Sequence, residues 1–524
     1  MEHTTFSEKY ILVIDVGTQS IRASFIDLKG YIREIEQTHI EAYFSDQPGY
    51  AEQDAEYFWD KLCDTTRLLF KNSNLDLKFL AGMSLTSQRG TVVNLDKNGK
   101  PLRPAIIWLD QRKAKVDSWP TGIIKAGLKV AGMYDTVSYA IEECESNWIR
   151  QNQPEVWEKT DKYLMLSGFL ISRLSGEFKD STGSMVGYIP FNFKKQVYAK
   201  PSSINYKMFP VERKKLAKLV YPSEIIGNIT AEASGQTGIP EGLPIIAAAA
   251  DKACEVLGSG VVSPETACLS YGTTATVQTV SSKYLEVVKM FPSYPSAIPH
   301  YFNTEVMIYR GYWMIKWFKN EFGYREVEEA KKLKKSPEEL FDKMIDEIPP
   351  GSMGLTLQPY WSPGVKRPGI EAKGAVIGFG DVHTRAHLYR SILEGIAYAL
   401  KEGTIRTEKT TGVKVEKIRV SGGGSQSKNA LQLTADIFNL PVEKPHTPET
   451  SSLGAAINAA VGLGFYKDFE SAVHKMCHIG ETYLPVPENV KIYSQLYNKV
   501  YSKMYKRLKP LYNDIRDIIN YPKK

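Results

Sequence analysis

The first strong pattern in the chain is the apolar run 10–16, Tyr-Ile-Leu-Val-Ile-Asp-Val, interrupted only by Asp15. Gly17-Thr-Gln-Ser20 follows, then a second apolar stretch, 21–27, and a turn at Lys29-Gly30. Short apolar runs bounded by turn residues predict buried strands, here a β-hairpin with a polar Gly-Thr loop at its tip. The unit recurs in the second half of the chain. Residues 267–271 read as a strand, Gly272-Thr-Thr274 as a loop and 275–280 as the returning strand. One such loop is an ordinary turn; two, each near the start of a half, predict two related lobes with phosphate held between them.

Around these hairpins the periodicity alternates. Strands are predicted at 79–85, 90–95, 105–108 and 243–248, and helices at 56–72, 155–173, 252–258, 384–411 and 426–439. The mixture is an α/β class, with sheets covered by helices. Gly258-Ser-Gly260 and Ser263-Pro264 punctuate the middle of the chain and place a domain boundary near 256–264. No long low-complexity linker lies there, so the halves are expected to be closely joined around a cleft. A length of 524 residues agrees with at least two domains.

Charge alters this picture little. Lys and Arg number 66 against 59 Asp and Glu, a net +7. The one basic cluster is C-terminal: Lys499, Lys503, Lys506, Arg507 and Lys509 interleave with Tyr493, Tyr497, Tyr501 and Tyr505 at four-residue spacing. That reads as an amphipathic helix docked through its aromatic face, with a solvated basic face, and not as a nucleic-acid or membrane surface. Five scattered cysteines without a Cys-x-x-Cys pair fit a reducing compartment. The polar opening is unlike a signal peptide, the apolar stretch 243–262 is broken by Asp251, Lys252 and Glu255, and 453–465 is too short to span a bilayer. The expectation is a cytoplasmic protein with no nucleic-acid or membrane partner.

Several residues are candidates for chemistry. Gly422-Gly-Gly424 lies at a strand-to-helix junction, where glycines let the backbone approach a flat or anionic ligand. The spacing is neither that of a P-loop nor that of a dinucleotide-binding fingerprint. Asp15 and Asp251 each close an apolar strand. Such carboxylates suit Mg²⁺ binding or removal of a proton from an attacking hydroxyl. His383 with His387 and His474 with His478 have i, i+4 spacing but lack further ligands, and read as surface or core residues. Trp313 and Trp317 could stack on a ring or linear chain of a ligand, but their four-residue helical spacing favours the core.

Taken in order, these motifs resemble the FGGY family of carbohydrate kinases over residues 8–510. The resemblance implies an α/β, two-domain actin-like ATPase (ribonuclease H-like) sugar kinase fold with an active-site cleft between the domains. It divides the chain into 8–257 (sugar side and first phosphate motif), 258–510 (nucleotide side) and a tail, 511–524. Asp15-Val-Gly-Thr-Gln-Ser-Ile-Arg22 is similar to the first phosphate motif, which implies Asp15 toward Mg²⁺ and Gly17, Thr18 and Arg22 toward the γ-phosphate of ATP. Ser87-Gln-Arg-Gly-Thr91 and Trp108-Leu-Asp-Gln-Arg112 resemble substrate motifs, implying sugar contacts from Gln88, Arg89, Gly90, Trp108 and Asp110. Ala250-Asp-Lys-Ala253 falls where the family keeps its catalytic base, making Asp251 base, substrate contact and metal neighbour at once. Tyr271-Gly-Thr-Thr274 resembles the second phosphate motif, with Gly272 and Thr273. Ser421 to Ser427 resembles the adenosine motif, with Gly423 and Ser427. A signature region is similar at Gly364 to Pro368, 373–378 and 388–395.

The implied reaction is transfer of the γ-phosphate of ATP, with Mg²⁺, to a sugar hydroxyl. Glycerol kinases of the family carry Gln-Arg-Glu where this chain has Gln88-Arg89-Gly90, and xylulose kinases carry Met-His-Gly. The glycine leaves room for a longer substrate, so a ketose is expected, a pentulose such as xylulose or ribulose first. The alternatives are a polyol or glycerol-like substrate, or a sugar-independent actin-like ATPase or sensor. Homodimerisation is a family expectation only.

Overall fold

The computed structural model describes residues 8–117, 119–362, 364 and 368–519. The expected signature segment lies partly outside them, at 365–367, as do the first seven residues and 520–524 of the tail.

Two mixed sheets form the frame. In the first, the order is Ile225–Asn228, Pro244–Ala247, Leu80–Ser87, Tyr10–Val16, Ser20–Asp27, Ile32–His39. Tyr10–Val16 is antiparallel to Ser20–Asp27 and parallel to Leu80–Ser87, which is in turn parallel to Pro244–Ala247. Tyr10–Val16 is buried throughout, as its continuous apolar run requires, whereas the edge strand Ile32–His39 alternates half-buried with exposed. The second sheet runs Tyr294–Pro295, Phe302–Ile308, Ala275–Ser281, Thr266–Tyr271, Lys417–Ser421, Val442–Pro445, Ile479–Tyr483. Outward from its central hairpin it repeats the first sheet: a three-stranded meander, two parallel neighbours and an antiparallel edge. The two related halves expected from the hairpins are present.

Between the sheets lies one apolar layer joining both halves. Ile11 and Val13 of the first sheet and Cys268 of the second pack with helices Asp251–Gly258 and Thr450–Gly462. These helices touch backbone to backbone: a Cβ on Gly258 would sit 1.9 Å from the Thr450 carbonyl oxygen, and one on Gly454 1.9 Å from that of Cys254. Only glycine fits at either crossing.

A smaller sheet, Glu52–Gln53, Ala105–Ile106, Val92–Leu95 and Lys162–Met165, carries the substrate motifs above its own core around Trp148, Tyr163 and Phe191. The helix expected at 155–173 is two helices, Pro154–Lys159 and Leu166–Ser175, separated by the strand Lys162–Met165. Pairing of that strand with Val92–Leu95 overrides the local helical pattern. The C-terminal helix docks as expected: Tyr493, Tyr497 and Tyr501 are buried against Tyr398 of the long helix Arg385–Thr411. Ser502–Ile519 continues through most of the expected tail as one helix. Trp313 and Trp317 pack on the second core. Among the described residues no group of metal-ligating side chains is assembled and no helix is long and apolar enough to cross a membrane.

Candidate active site

The three parallel strands of the first sheet end at the same edge, and the loops leaving their C-terminal ends converge there. Tyr10–Val16 delivers Asp15 and the first Gly-Thr loop; Leu80–Ser87 delivers Gln88, Arg89 and Gly90; Pro244–Ala247 leads to Asp251 at the start of its helix. Cross-ties fix the convergence. Gln88 N donates to Val16 O at 2.8 Å, and Thr86 Oγ1 donates to Ala249 O at 2.8 Å.

A cavity of about 830 Å³ opens between the lobes. Thr18, Gln88, Arg89, Gly90 and Trp108 line it from the first lobe, Gly272 and Thr273 from the second, and Asp251 with Lys252 where the two meet. Asp15, Gly17, Arg22, Asp110, Gly423 and Ser427 do not line it.

On its sugar-motif side the wall is a hydrogen-bonded chain. Trp108 Nε1 donates to Thr18 Oγ1 at 2.9 Å, and Thr18 Oγ1 donates to Gln88 Oε1 at 3.0 Å. The threonine expected to face phosphate is thus joined through its hydroxyl to the two substrate motifs. Gly90 holds φ +70°, and a Cβ there would stand 3.4 Å from that of Trp108. The backbone itself favours glycine at this position. Arg89 reaches the other lobe: its Nη2 donates to Glu305 Oε1 at 2.9 Å, and its guanidinium lies 5.5 Å from the ring centre of Tyr294.

Asp110 is turned away from the cavity. It accepts hydrogen bonds from Ala51 N at 2.7 Å and from Arg112 Nε at 2.8 Å and Nη2 at 2.7 Å. Arg112 lies in turn 3.9 Å from the ring centre of Tyr50 and 4.6 Å from that of Trp148. The aspartate braces the wall from behind.

The two aspartates differ in surroundings. Asp251 starts its helix and accepts the Lys252 N–H through Oδ1 at 2.8 Å. Burial raises its pKa, while Lys252 and Arg89 oppose that rise. Asp15 is 6% exposed, and among the described residues no hydrogen bond or ion pair holds its side chain. Burial, and next the charge of Asp251, push it up to about 7.

Lys252 and Glu255 escaped the sequence reading and knit this junction. Lys252 Nζ donates to Glu255 Oε2 at 2.7 Å and to Ser270 Oγ at 2.6 Å. Glu255 Oε1 accepts from Ser270 at 2.8 Å and from Ser421 at 2.6 Å, tying one helix to two strands of the second sheet. Burial works to raise Glu255, but Lys252 and these hydrogen bonds outweigh it and hold it below its ordinary value. The i, i+4 spacing from Asp251 was the one available signal for Glu255. Glu305 offered none, being 216 residues from Arg89. Glu145 also lines the cavity, and burial pushes its carboxyl up to about 8.

On the nucleotide-motif side, Gly272 O and Thr273 O accept the N–H groups of Tyr312 and Trp313 at 3.1 and 3.2 Å. Tyr312 stacks on Tyr271 with ring centres 4.5 Å apart. A Cβ on Gly424 would meet the Tyr312 ring at 2.2 Å, whereas one on Gly423 would meet nothing within 4 Å. Ser427 caps helix Lys428–Phe438 by accepting Ala430 N–H at 3.1 Å, and donates to Asp342 Oδ1 at 2.8 Å. Arg22 pairs with Glu449 at 3.2 Å.

Two repeated lobes, an apolar layer between them and a cleft flanked by two Gly-Thr loops define the actin-like ATPase fold. Family models agree. The N-terminal domain of the FGGY family of carbohydrate kinases matches residues 10–258 and its C-terminal domain residues 267–463. The chain belongs to the FGGY family of carbohydrate kinases, and is a sugar kinase that uses ATP. It is 30% identical to the uncharacterized sugar kinase YgcE of Escherichia coli, over 94% of this chain and 92% of that one. It is 28% identical to a xylulose kinase of Staphylococcus epidermidis, over 98% of this chain and all of the relative. The solved xylulose kinase of Rhodospirillum rubrum superposes with a TM-score of 0.80 at 22% identity, over 96% of this chain and 100% of that one. A gluconokinase of Bacillus subtilis also matches, 27% identical over 93% of this chain and 94% of its own.

Proposed function

We propose that the enzyme phosphorylates a ketose, first a pentulose such as xylulose or ribulose, with Asp251 as general base and Mg²⁺ held by Asp15 beside Asp251. The observation that carries this reading is the place of Asp251, on the cavity wall between the Trp108–Thr18–Gln88 chain and the Gly272-Thr273 loop. A hydroxyl seated on that chain and a phosphate seated on that loop would meet at the aspartate.

Phosphoryl transfer asks the protein for alignment and charge stabilisation. Asp251 Oδ1 is fixed by the Lys252 N–H, while Oδ2 makes no hydrogen bond among the described residues and is the atom to take the sugar proton. Lys252 and Arg89 favour the ionised form that a base requires. Such catalysis contributes about 10²- to 10⁴-fold. Lys252 Nζ would stand 3.9 Å from a Cβ on Gly272, so it sets a positive charge beside the second loop, where phosphoryl charge would develop.

Asp15 suits a divalent cation: it makes no hydrogen bond or ion pair among the described residues, and burial, then the charge of Asp251, destabilise it as a carboxylate. Magnesium there would neutralise phosphate charge and hold the phosphoryl group in line. Gly17 and Arg22, and Gly423 and Ser427 around the adenosine, complete the proposed nucleotide contacts. Asp110 enters as a positioning residue through Arg112.

Support for a ketose over glycerol comes from Gly90, whose missing side chain keeps the sugar end open, and from the size of the cavity. The same reading assigns residues 8–257 to the sugar side, 258–510 to the nucleotide side and 511–524 to the tail, in a cytoplasmic enzyme that pairs as a homodimer. The test is coupled ADP release with Mg²⁺-ATP against D- and L-pentuloses, hexuloses, pentitols and glycerol. Stimulation by a pentulose at least roughly tenfold over the sugar-free rate is the expected result. Turnover fastest on glycerol or a pentitol would move the substrate class, and turnover indifferent to sugar would leave an ATPase.

A further inference from the structure

Two residues of the cavity wall, on opposite lobes, each hold a buried polar atom that has no hydrogen-bond partner among the described residues. Gln88, 4% exposed, leaves Nε2 without a hydrogen bond, and the Glu305 side chain, 7% exposed, leaves Oε2 without one. Both residues line the cavity. Their other atoms are engaged: Gln88 Oε1 accepts from Thr18, and Glu305 Oε1 accepts from Arg89. Leaving such groups unsatisfied is costly, more so for a charge, and a ligand entering the cavity would relieve that cost.

The chemistry of the two atoms restricts what that is. Gln88 Nε2 only donates, and an ionised Glu305 Oε2 only accepts. Hydroxyl groups serve both. A carboxylate can answer the amide but not the glutamate, and the neighbouring cation, Arg89, is already matched by Glu305 at 2.9 Å.

The geometry points to Glu305 as a specificity-determining residue that reads the sugar from the nucleotide-side lobe. Its free oxygen accepts a hydrogen bond from a substrate hydroxyl, and its charge turns away substrates carrying a carboxylate at that end, aldonates among them. This rests on the sugar-kinase reading of the cavity. It also places recognition where the lobes meet, because the Arg89–Glu305 pair joins them at the point where the sugar would bind. A residue that merely held Arg89 in place would affect every sugar alike, so the telling quantity is a ratio.

The experiment measures kcat and KM of the full-length wild type, Glu305→Gln and Glu305→Asp with the best neutral sugar of the panel and with D-gluconate, with thermal denaturation of each protein. Loss of a hydrogen bond to a charged group predicts a KM for the neutral sugar raised roughly tenfold or more in Glu305→Gln, with kcat within about threefold. The ratio of kcat/KM, neutral sugar over gluconate, is expected to fall by at least about tenfold, and by less in Glu305→Asp. A ratio unchanged within about twofold in a folded variant overturns the inference. So does a wild type that prefers gluconate, although the kinase reading then stands. A wild type that turns over no sugar removes the kinase reading and the inference together. Should Glu305→Gln fail to fold, the uncharged Glu305→Ser carries the same ratio test.

Discussion

The two Gly-Thr hairpins occupy equivalent places in the two lobes but are fastened differently. The first is held by side chains: Thr18 sits between Trp108 and Gln88, and Arg22 is paired with Glu449 of the opposite lobe. The second is held chiefly by backbone, its carbonyls capped by the start of helix Trp313–Phe322, with Thr274 Oγ1 donating to Tyr309 O at 3.3 Å; the first has a backbone tie too, Ile40 N donating to Gln19 O at 3.0 Å. On the proposed reading, the first hairpin couples sugar to phosphate and the second holds phosphate. Duplication of the fold did not duplicate the role.

The comparison can be broken most severely at the first hairpin's carboxylate. Asp15→Asn should lower kcat/KM for Mg²⁺-ATP at least about a hundredfold in steady-state assays, having lost the carboxylate proposed to hold the metal. In protein free of nucleotide and metal the same change should stabilise. With the Asp15 pKa pushed up to about 7, the protonated form is favoured in the fold, so its contribution to stability is present below about pH 4 and lost as pH rises through 7. The gain in Tm of Asp15→Asn over wild type should therefore be near zero at pH 4 and largest above pH 7 by calorimetry.

Disturbing the second lobe comes next. Gly424→Ala drives a methyl into the Tyr312 ring and with it the stack on Tyr271. Overpacking costs about 1–3 kcal/mol, so KM for ATP should rise roughly tenfold while KM for sugar holds. Thr18→Val sharpens the contrast: breaking the chain between Trp108 and Gln88 should raise the sugar KM about three- to tenfold and leave the ATP KM within about twofold. The smallest effect on activity is expected from Asp110→Asn. It should lower Tm by loosening Arg112 and change KM for sugar by less than about twofold, since Asp110 stands behind the wall. A hundredfold loss in that variant would return Asp110 to the substrate.

Much of this architecture was legible in the chain. Both hairpins, the α/β class, the docked tyrosine face and the helices Ala55–Asn72 and Arg385–Thr411 follow local periodicity and show it. Thr18, Gln88, Arg89, Gly90, Trp108, Asp251, Gly272 and Thr273 do meet at one cavity. What could not be read is whatever depends on the lobes meeting. Glu305 lies on an ordinary strand and gains meaning only from Arg89 across the cleft. Glu255 looks like any helical glutamate until two serines of the second sheet close on it. Asp110 has the composition of a binding residue, yet an arginine two positions on claims both its oxygens. The strand Lys162–Met165, too, depends on a partner about seventy residues away, which a local pattern does not encode.

The central claim is that Asp251 takes the sugar proton in a site that otherwise binds both substrates. Rapid-quench single-turnover transfer from labelled ATP, paired with calorimetric binding of sugar and Mg²⁺-ATP, tests it on Asp251→Asn against wild type. The account predicts binding of both substrates within about fivefold of wild type, an unfolding temperature no lower, and transfer slowed at least about a hundredfold. Transfer within a few-fold of wild type in a folded variant that still binds both would contradict it.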